Sequence, residues 1–250
     1  MAAVGVAKRG AGDTPVPAIP GGPSLLAIPF LRFAGSAPIE LLTDAQREQL
    51  ASHASFRVFP AATVIYRAGA PADSVFIVHN GVMKSFRDLP SGRRRIATFL
   101  FPRDLFGLAA SGHYVNTVQT ITPVRAYQLA VDTLTRLFQR DAELELQFLC
   151  KTVHVLREAQ HHNIMVGRRD AVGRLAMLLR LLRQQGTSRR GDEVPIPMSR
   201  SDIANYLGLS LESVVRASGR LERLGIVEFV GRHHARIIDQ RRFAALAENV

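Results

Sequence analysis

The chain has 250 residues, of which 47% are hydrophobic and 21% are charged, and its formal net charge is +11 at pH 7. This composition is typical of a globular protein of one or two domains, and no apolar run reaches the roughly 18 residues that a membrane span requires. The positive charge favours a polyanionic partner such as a nucleic acid, although solvated surface charge would also account for it. The single cysteine, Cys150, excludes an internal disulfide and is typical of a reducing cytoplasm.

The first residues, 1–24, are rich in Ala, Gly, Val and Pro and follow neither a helical nor a strand period. They predict a disordered tail. No apolar segment followed by a cleavage site is present, so a signal peptide is not expected. A first domain is predicted over 25–141, and Thr43 is the predicted N-cap of a short helix, with Gln46 in the capping-box position.

Short apolar and β-branched runs broken by turn residues occupy most of this first domain. The runs are 63–66, 74–79, 82–86, 95–101 and 117–129. Asn80-Gly81 and Ser91-Gly92 are both typical hairpin turns. Many short strands at this spacing predict an antiparallel barrel or jelly roll, a fold that often encloses a ligand cavity.

Helical periodicity begins after this region. Asp132 is predicted to cap a short helix, and a long helix is predicted over 142–166. Apolar residues recur along the long helix at three- and four-residue steps, namely Leu146, Leu149, Val153 and Leu156. Such a stripe is longer than a helix lying on a barrel requires, and it predicts a coiled-coil seam against a second copy of the chain. Cys150 lies in this helix and is expected to be a small buried packing residue.

The remaining segment, 167–250, has the pattern of a winged helix. Asp170 is the predicted cap of a helix that ends near Gln185. A short helix then begins after Ser199 and ends at Gly208, and Ser210 starts a second one over 211–224. Two short helices joined by a tight turn containing glycine form a helix-turn-helix. Two predicted strands on either side of residues 231–234 supply the wing.

A β-rich domain, a long helix and a winged helix, in this order, resemble the Crp–Fnr superfamily of bacterial transcription regulators. The most specific parts are residues 91–107 and 199–216, which are similar to the Fnr and FixK branches. The resemblance implies an α+β fold with an N-terminal antiparallel β-roll of the cyclic-nucleotide-binding type. It also implies a cytoplasmic homodimer that is not an enzyme. Such a protein binds palindromic double-stranded DNA and RNA polymerase and activates transcription.

In that family, a Glu and an Arg four residues apart in the recognition helix read a half-site that contains GA. The matching residues are Glu212 and Arg216, and a spacing of four places them on one helix face. A carboxylate accepts a hydrogen bond from cytosine N4, and a guanidinium donates two to guanine O6 and N7. The pair could instead form a surface ion pair. Val215 replaces the Ser of the Fnr branch and would either contact a thymine methyl group or point into the core.

Hydroxyl and basic residues around these helices are candidates for contact with DNA phosphates. Hydroxyls at helix starts, together with the local backbone N–H groups, can hold phosphate oxygens. Ser210 could equally be a plain N-cap. The predicted phosphate contacts are Ser199, Ser201, Ser210, Ser213, Arg220, Arg223 and Arg232, with His233 as a further candidate.

The predicted first domain, 25–141, lacks residues with which the ligand-binding branches of the family hold their ligands. Gly107-Leu108 and Tyr114 to Asn116 stand where the cyclic-nucleotide branch has a carboxylate for the ribose and an Arg for the phosphate, so cyclic AMP is not expected. One cysteine cannot hold an iron–sulfur cluster, which needs four thiolates. We therefore expect no cofactor and no metal, and control of the regulator by its abundance.

A haem- or small-effector-gated regulator of the same fold is the alternative. The candidate haem ligands are His79, His113, His154, His161 and His162. An enzyme is not expected and no catalytic residues are predicted, because the sequence has no metal-ligand spacing, phosphate loop or nucleophile elbow.

Overall fold

The computed structural model describes residues 29–30, 39–40, 43–168, 170–185 and 193–248. The predicted tail over 1–24 lies outside the described residues. The helices are α1 (Asp44–His53), α2 (Val131–Phe138), α3 (Ala142–Arg168), α4 (Ala171–Gln185), α5 (Arg200–Leu207), α6 (Leu211–Arg223) and α7 (Gln240–Glu248). The strands are β1 (Pro29–Phe30), β2 (Ile39–Glu40), β3 (Ser55–Phe59), β4 (Val64–Tyr66), β5 (Ser74–Asn80), β6 (Met83–Asp88), β7 (Arg94–Leu100), β8 (Leu105–Phe106), β9 (Thr117–Thr120), β10 (Val124–Ala130), β11 (Glu193–Pro195), β12 (Val227–Val230) and β13 (His234–Ile237).

Two four-stranded antiparallel sheets form the N-terminal β-roll, with strand orders β3-β10-β5-β8 and β4-β9-β6-β7. The inner strand β5 is buried on both faces, which explains its continuous apolar sequence. Val75 and Ile77 pack with residues of α2 and α3. Phe76 and Val78 pack into the interior of the roll. The predicted α+β fold with an antiparallel β-roll is confirmed.

The predicted hairpin at Asn80-Gly81 is wrong, because β5 and β6 belong to different sheets. The Asn80 side chain instead accepts a hydrogen bond of 2.9 Å from the backbone N–H of Arg125. Gly81 has a φ of +89°, and a Cβ there would lie 2.4 Å from the carbonyl oxygen of Pro123. These residues therefore carry the chain from one sheet to the other. Ser91-Gly92 does connect a hairpin, formed by β6 and β7.

Helix capping agrees with the sequence at α1 but not at α2. The Thr43 hydroxyl accepts from the backbone N–H of Gln46, whose side chain accepts from the Thr43 N–H, so the predicted capping box is confirmed. The predicted cap at Asp132 is wrong. Helix α2 begins one residue before Asp132, its N-cap Ala130 has no side-chain hydrogen bond, and Asp132 lies in the first turn.

The predicted strand over 117–129 is two strands, β9 and β10, which pair in different sheets. Strand β8 was not predicted, since its two residues are too few to show a period.

The long helix α3 has one buried and one exposed face. Leu144 and Phe148 pack with residues of α2 and the β-roll. The predicted stripe lies on the other side, and its four members are 48–59% exposed, namely Leu146, Leu149, Val153 and Leu156. Cys150 is only partly buried within one copy of the chain, so the expected full burial is not found there. Its position four residues after Leu146 places it at the edge of the exposed stripe rather than on the packed face.

Helices α4 to α7 and the three-stranded sheet β11-β13-β12 form the C-terminal winged helix. Asp170 caps α4 as predicted, since its carboxylate accepts a hydrogen bond of 2.7 Å from the Gly173 N–H. Strand β11 was not predicted. One apolar cluster includes Ile96 and Phe99 of the β-roll together with Ile203 and Leu207 of α5, so the two parts share a core. No helix among the described residues is long and apolar enough to cross a membrane.

Candidate nucleic-acid interface

The geometry of the helix-turn-helix is set by two serine caps and one glycine. The Ser199 hydroxyl accepts from the Asp202 N–H at 3.0 Å, and the Ser210 hydroxyl accepts from the Ser213 N–H at 3.1 Å. Between them, Gly208 adopts the left-handed conformation, with φ 65° and ψ 35°. This conformation ends α5 and is strained for other residues. The start of each helix and the turn between them are where the sequence predicted them.

The predicted recognition helix, α6, has a buried face and an exposed face. Val214, Ala217 and Leu221 are buried in the shared core. On the exposed face, the side chains of Glu212 and Arg216 are 76% and 70% exposed. Arg216 Nη1 lies 3.6 Å from Glu212 Oε1, an i,i+4 ion pair that stabilises an exposed helix by only about 0.3 kcal/mol.

Val215 belongs to the exposed face of α6. Its side chain is 57% exposed, so it does not point into the domain core. Water is an unfavourable environment for an isopropyl group, and burying it against another apolar group would be favourable. Of the two alternatives that the sequence left open, the one that remains is an apolar contact with a partner.

The candidate phosphate-contact residues lie on α5, α6 and the wing. Ser201, Arg220, Arg223 and Arg232 are exposed. The Ser199 hydroxyl is occupied within the protein, because it also donates to Asp202 Oδ2 at 2.9 Å. Ser210 and Ser213 likewise hydrogen-bond to each other, with 2.9 Å between their hydroxyl oxygens.

Sequence reasoning missed Arg200, which joins α5 to the wing. Its guanidinium carbon lies 4.8 Å from the centroid of the Phe229 ring, a cation–π contact. Burial lowers the pKa of Arg200, and the nearby Glu222 carboxylate raises it. Glu222 also accepts a hydrogen bond of 3.3 Å from the Phe229 backbone N–H. The three residues fix the wing relative to α6, and no local pattern in the sequence indicates this contact.

Aromatic side chains fill the interior of the β-roll. The Tyr66 and Tyr114 rings stack with their centroids 3.7 Å apart, and the Phe76 and Phe106 rings stack at 5.1 Å. The Tyr114 hydroxyl donates to the Ser74 carbonyl at 2.7 Å. Burial is the main cause that raises the pKa of Tyr66 and of Tyr114, so both phenols are neutral at physiological pH. Tyr114, which the resemblance matched to a residue for a cyclic phosphate, therefore packs within the roll.

Three of the five candidate haem ligands, His79, His113 and His162, have separate local partners. His79 packs edge-on against Phe56 and Tyr127, and burial followed by the charge of Arg125 lowers its pKa. His113 lies 3.2 Å from the Ser111 carbonyl, and His162 stacks on Tyr206. His161 is exposed, and the side chain of His154 lies outside the described part of the chain. Within that described part, no group of three or more His, Cys, Asp and Glu residues could hold a metal ion.

Comparisons with known proteins agree with this arrangement. Residues 56–141 match the cyclic nucleotide-binding domain family, and residues 173–246 match the Crp-like helix-turn-helix domain family. The nitrogen fixation regulation protein FixK of Bradyrhizobium diazoefficiens is 36% identical over 181 residues, which are 70% of this chain and 74% of that protein. The transcriptional activatory protein AadR of Rhodopseudomonas palustris is 31% identical over 205 residues, covering 80% of this chain and 83% of that protein. The structure of FixK2 from Bradyrhizobium japonicum aligns with a TM-score of 0.73 and 29% identity, covering 77% of this chain and 96% of that one.

Proposed function

Since the chain belongs to the Crp–Fnr family of transcription regulators and is not an enzyme, we propose that it is a homodimeric activator that binds palindromic DNA through α6. The observation that carries the proposal is the exposed face of α6, where Glu212, Val215 and Arg216 stand together on a helix whose other face is buried. A helix presented in this way fits the major groove of DNA.

Each of the three exposed side chains offers a different contact to base edges. The Glu212 carboxylate accepts a hydrogen bond from cytosine N4, and the Arg216 guanidinium donates two to guanine O6 and N7. Val215 can contact only an apolar group, and the thymine methyl is the one that the major groove presents. The weak ion pair between Glu212 and Arg216 opens at small energetic cost, so both groups can turn to the bases.

Contacts with the DNA backbone would orient α6 in the groove. We assign them to the hydroxyls and backbone N–H groups at the starts of α5 and α6 and to the exposed cations of α6 and the wing. The residues are Ser199, Ser201, Ser210, Ser213, Arg220, Arg223 and Arg232. Because the Ser199 hydroxyl is held by Asp202, its contribution would come from the backbone N–H groups at the start of α5.

The exposed stripe of α3 supports a homodimer. Leu146, Leu149, Val153 and Leu156 are too exposed for a helix that functions alone in water, and their spacing fits a seam with the same helix of a second copy. Two copies would place two recognition helices about one helical turn, roughly 34 Å, apart on a palindromic site. An activator of this kind acts in the cytoplasm by binding RNA polymerase beside its site.

The filled β-roll supports DNA binding without a small effector. The stack of Tyr66 on Tyr114 occupies the interior, and Leu108 and Tyr114 cannot replace the carboxylate and the guanidinium that a cyclic nucleotide requires. The amount of protein in the cell would then control its target genes. The alternative, gating by haem or a small effector, predicts a Soret band after haem reconstitution, with a change in DNA affinity.

Selection of DNA sites from a random pool, with the purified full-length chain, tests the proposed function. We expect enrichment of a palindrome without any added nucleotide, and no shift in affinity when cyclic AMP is added. Failure to enrich any site in the absence of effector, followed by enrichment with haem-loaded protein, would replace the proposal by the alternative. Recovery of unrelated sequences under both conditions would contradict both.

A further inference from the structure

A contact between the β-roll and the helix-turn-helix joins Lys84 and Phe99 on one side to Asp202 and Tyr206 on the other; we call it the interdomain contact. We propose that Lys84 is a positioning residue for DNA recognition, which holds α5 and α6 in the orientation that matches the spacing of two half-sites. This inference rests on the proposed function, because it concerns the geometry of the same DNA complex.

The polar part of the contact is a short and largely buried ion pair. Lys84 Nζ lies 2.7 Å from Asp202 Oδ1, and the two side chains are only 14% and 13% exposed. The second carboxylate oxygen, Oδ2, accepts from the Ser199 hydroxyl at 2.9 Å. Exposed ion pairs hold side chains weakly, whereas removing one partner of a buried pair leaves the other charge poorly solvated. Lys84 therefore favours one orientation of α5 more strongly than a surface lysine could.

The apolar part of the contact holds Tyr206 between two elements. Its ring centroid lies 4.9 Å from that of Phe99 on β7 and 4.2 Å from that of His162 on α3. Beyond Tyr206, Arg95 Nη1 lies 2.9 Å from the place where a Cβ of Gly208 would be. Strand β7 thus reaches the turn that connects α5 to the recognition helix.

The arrangement leaves the recognition face open. Glu212 and Arg216 are more than two thirds exposed while the interdomain contact is formed, so the β-roll does not cover them. The contact therefore stabilises an orientation that can bind DNA, rather than an inhibited one. When only a fraction of molecules has the competent orientation, the apparent affinity falls by that fraction.

Binding to sites of different half-site spacing separates positioning from a general structural role. We would measure the affinity of the wild type and Lys84→Met for the preferred palindrome, for palindromes with one or two base pairs added or removed, and for a single half-site. Lys84→Met should weaken binding to the preferred spacing by about tenfold, as expected if a tenth of molecules keep the competent orientation. It should also flatten the dependence on spacing and change half-site affinity by less than about twofold, because α6 itself is unaltered.

Two further variants complete the design. Asp202→Asn should reproduce the flattening, and the double variant should be no worse than either single one because the two residues act as a pair. Asp88→Asn is the control: it weakens the exposed 2.7 Å pair with Arg94, which lies wholly within the β-roll, and should leave the spacing dependence unchanged.

Several results would overturn the proposal. Lys84→Met could bind DNA more tightly than the wild type, lose the same affinity on every DNA including the half-site, or bind every DNA as the wild type does. The proposal also fails if neither Lys84→Met nor Asp202→Asn folds while Asp88→Asn does. If the wild type prefers no palindrome, the proposed function itself fails. If the wild type has a sharp spacing preference and Lys84→Met retains it, only the role of Lys84 fails.

Discussion

Arg216 Nη1 lies 3.6 Å from Glu212 Oε1, one turn away on the exposed face of α6. Replacing Arg216 by Ala would remove a bidentate contact with guanine, so specific binding should weaken by about 1–3 kcal/mol, or roughly 5- to 150-fold. Binding to random DNA should change little, because few phosphate contacts are lost. Competition binding with the selected site and a scrambled site would measure this difference.

Arg220→Ala is the control for the Arg216 variant, since Arg220 is exposed on the same helix but is assigned to a phosphate. It should weaken binding to both DNAs alike and reduce the slope of log affinity against log salt concentration by about one. Equal losses on both DNAs for Arg216→Ala would refute its role in base recognition.

Replacing thymine by deoxyuridine tests Val215, because it removes only the methyl group. At one position of each half-site, this change should weaken binding by the wild type by about 1 kcal/mol, the transfer free energy of roughly one methylene group. With Val215→Ala the same replacement should have a smaller effect. If deoxyuridine is tolerated at every thymine of the site, Val215 does not read a methyl group. A titrated mobility-shift assay would measure these affinities.

Leu149→Glu should dissociate the homodimer. Leu149 is 59% exposed in the middle of the stripe of α3, and a seam would bring two like charges together in an apolar setting. We expect a monomer by sedimentation, with an unchanged far-UV spectrum and weak DNA binding. Val155→Glu is the control, because Val155 is 46% exposed and lies about two and a half turns from Leu146, on the opposite face. A dimeric Leu149→Glu variant would exclude this stripe as the seam.

Gly81→Ala should destabilise the β-roll much more than Gly92→Ala. Both glycines have positive φ, which imposes about 1–2 kcal/mol of strain on another residue. At Gly81 the new Cβ would also lie 2.4 Å from the Pro123 carbonyl oxygen, whereas nothing lies within 4 Å at Gly92. Chemical denaturation should therefore give a difference of several kcal/mol between them. Similar losses of stability in the two variants would mean that the backbone around Gly81 moves easily to make room for the Cβ.

The imidazole of His162 should make stability depend on pH. Burial, followed by the charge of Arg95, lowers the pKa of His162 to about 4. In the unfolded chain the imidazole has a pKa near 6.5 and therefore binds a proton at a higher pH than in the folded protein. The free energy of unfolding is therefore highest above about pH 6.5 and falls as the pH is lowered towards 4. We expect a loss of about 1–2 kcal/mol, below the full linkage value because the half-buried ring is partly screened by solvent. In His162→Phe, which can still stack on Tyr206, this part of the pH dependence should disappear from denaturant midpoints; its persistence would assign it to other groups.

Sequence alone predicted the features that depend on nearby residues. The caps at Thr43, Ser199 and Ser210 each involve a partner three residues away, so the pattern contains both members of each interaction. The stripe of α3 is equally local, because helical geometry brings its members to one face. The assignment of base contacts to Glu212 and Arg216 of α6 depended in addition on the family resemblance.

Features that depend on distant residues could not be read in this way. Asn80-Gly81 specifies a local backbone shape, but which strands then pair depends on the faces that the whole roll buries. The stack of Tyr66 on Tyr114 and the pair of Lys84 with Asp202, 118 residues apart, arise only when the sheets and helices meet. Arg200 was overlooked for the same reason, since its aromatic partner lies in the wing.

The apolar cluster that includes both β7 and α5 has a consequence for how the chain melts. Because Ile96 and Phe99 share a core with Ile203 and Leu207, neither part can unfold without exposing the apolar surface of the other. Thermal unfolding should therefore be a single cooperative transition rather than two. A winged helix cut away from the β-roll would expose the side of α5 that Phe99 covers and would tend to aggregate.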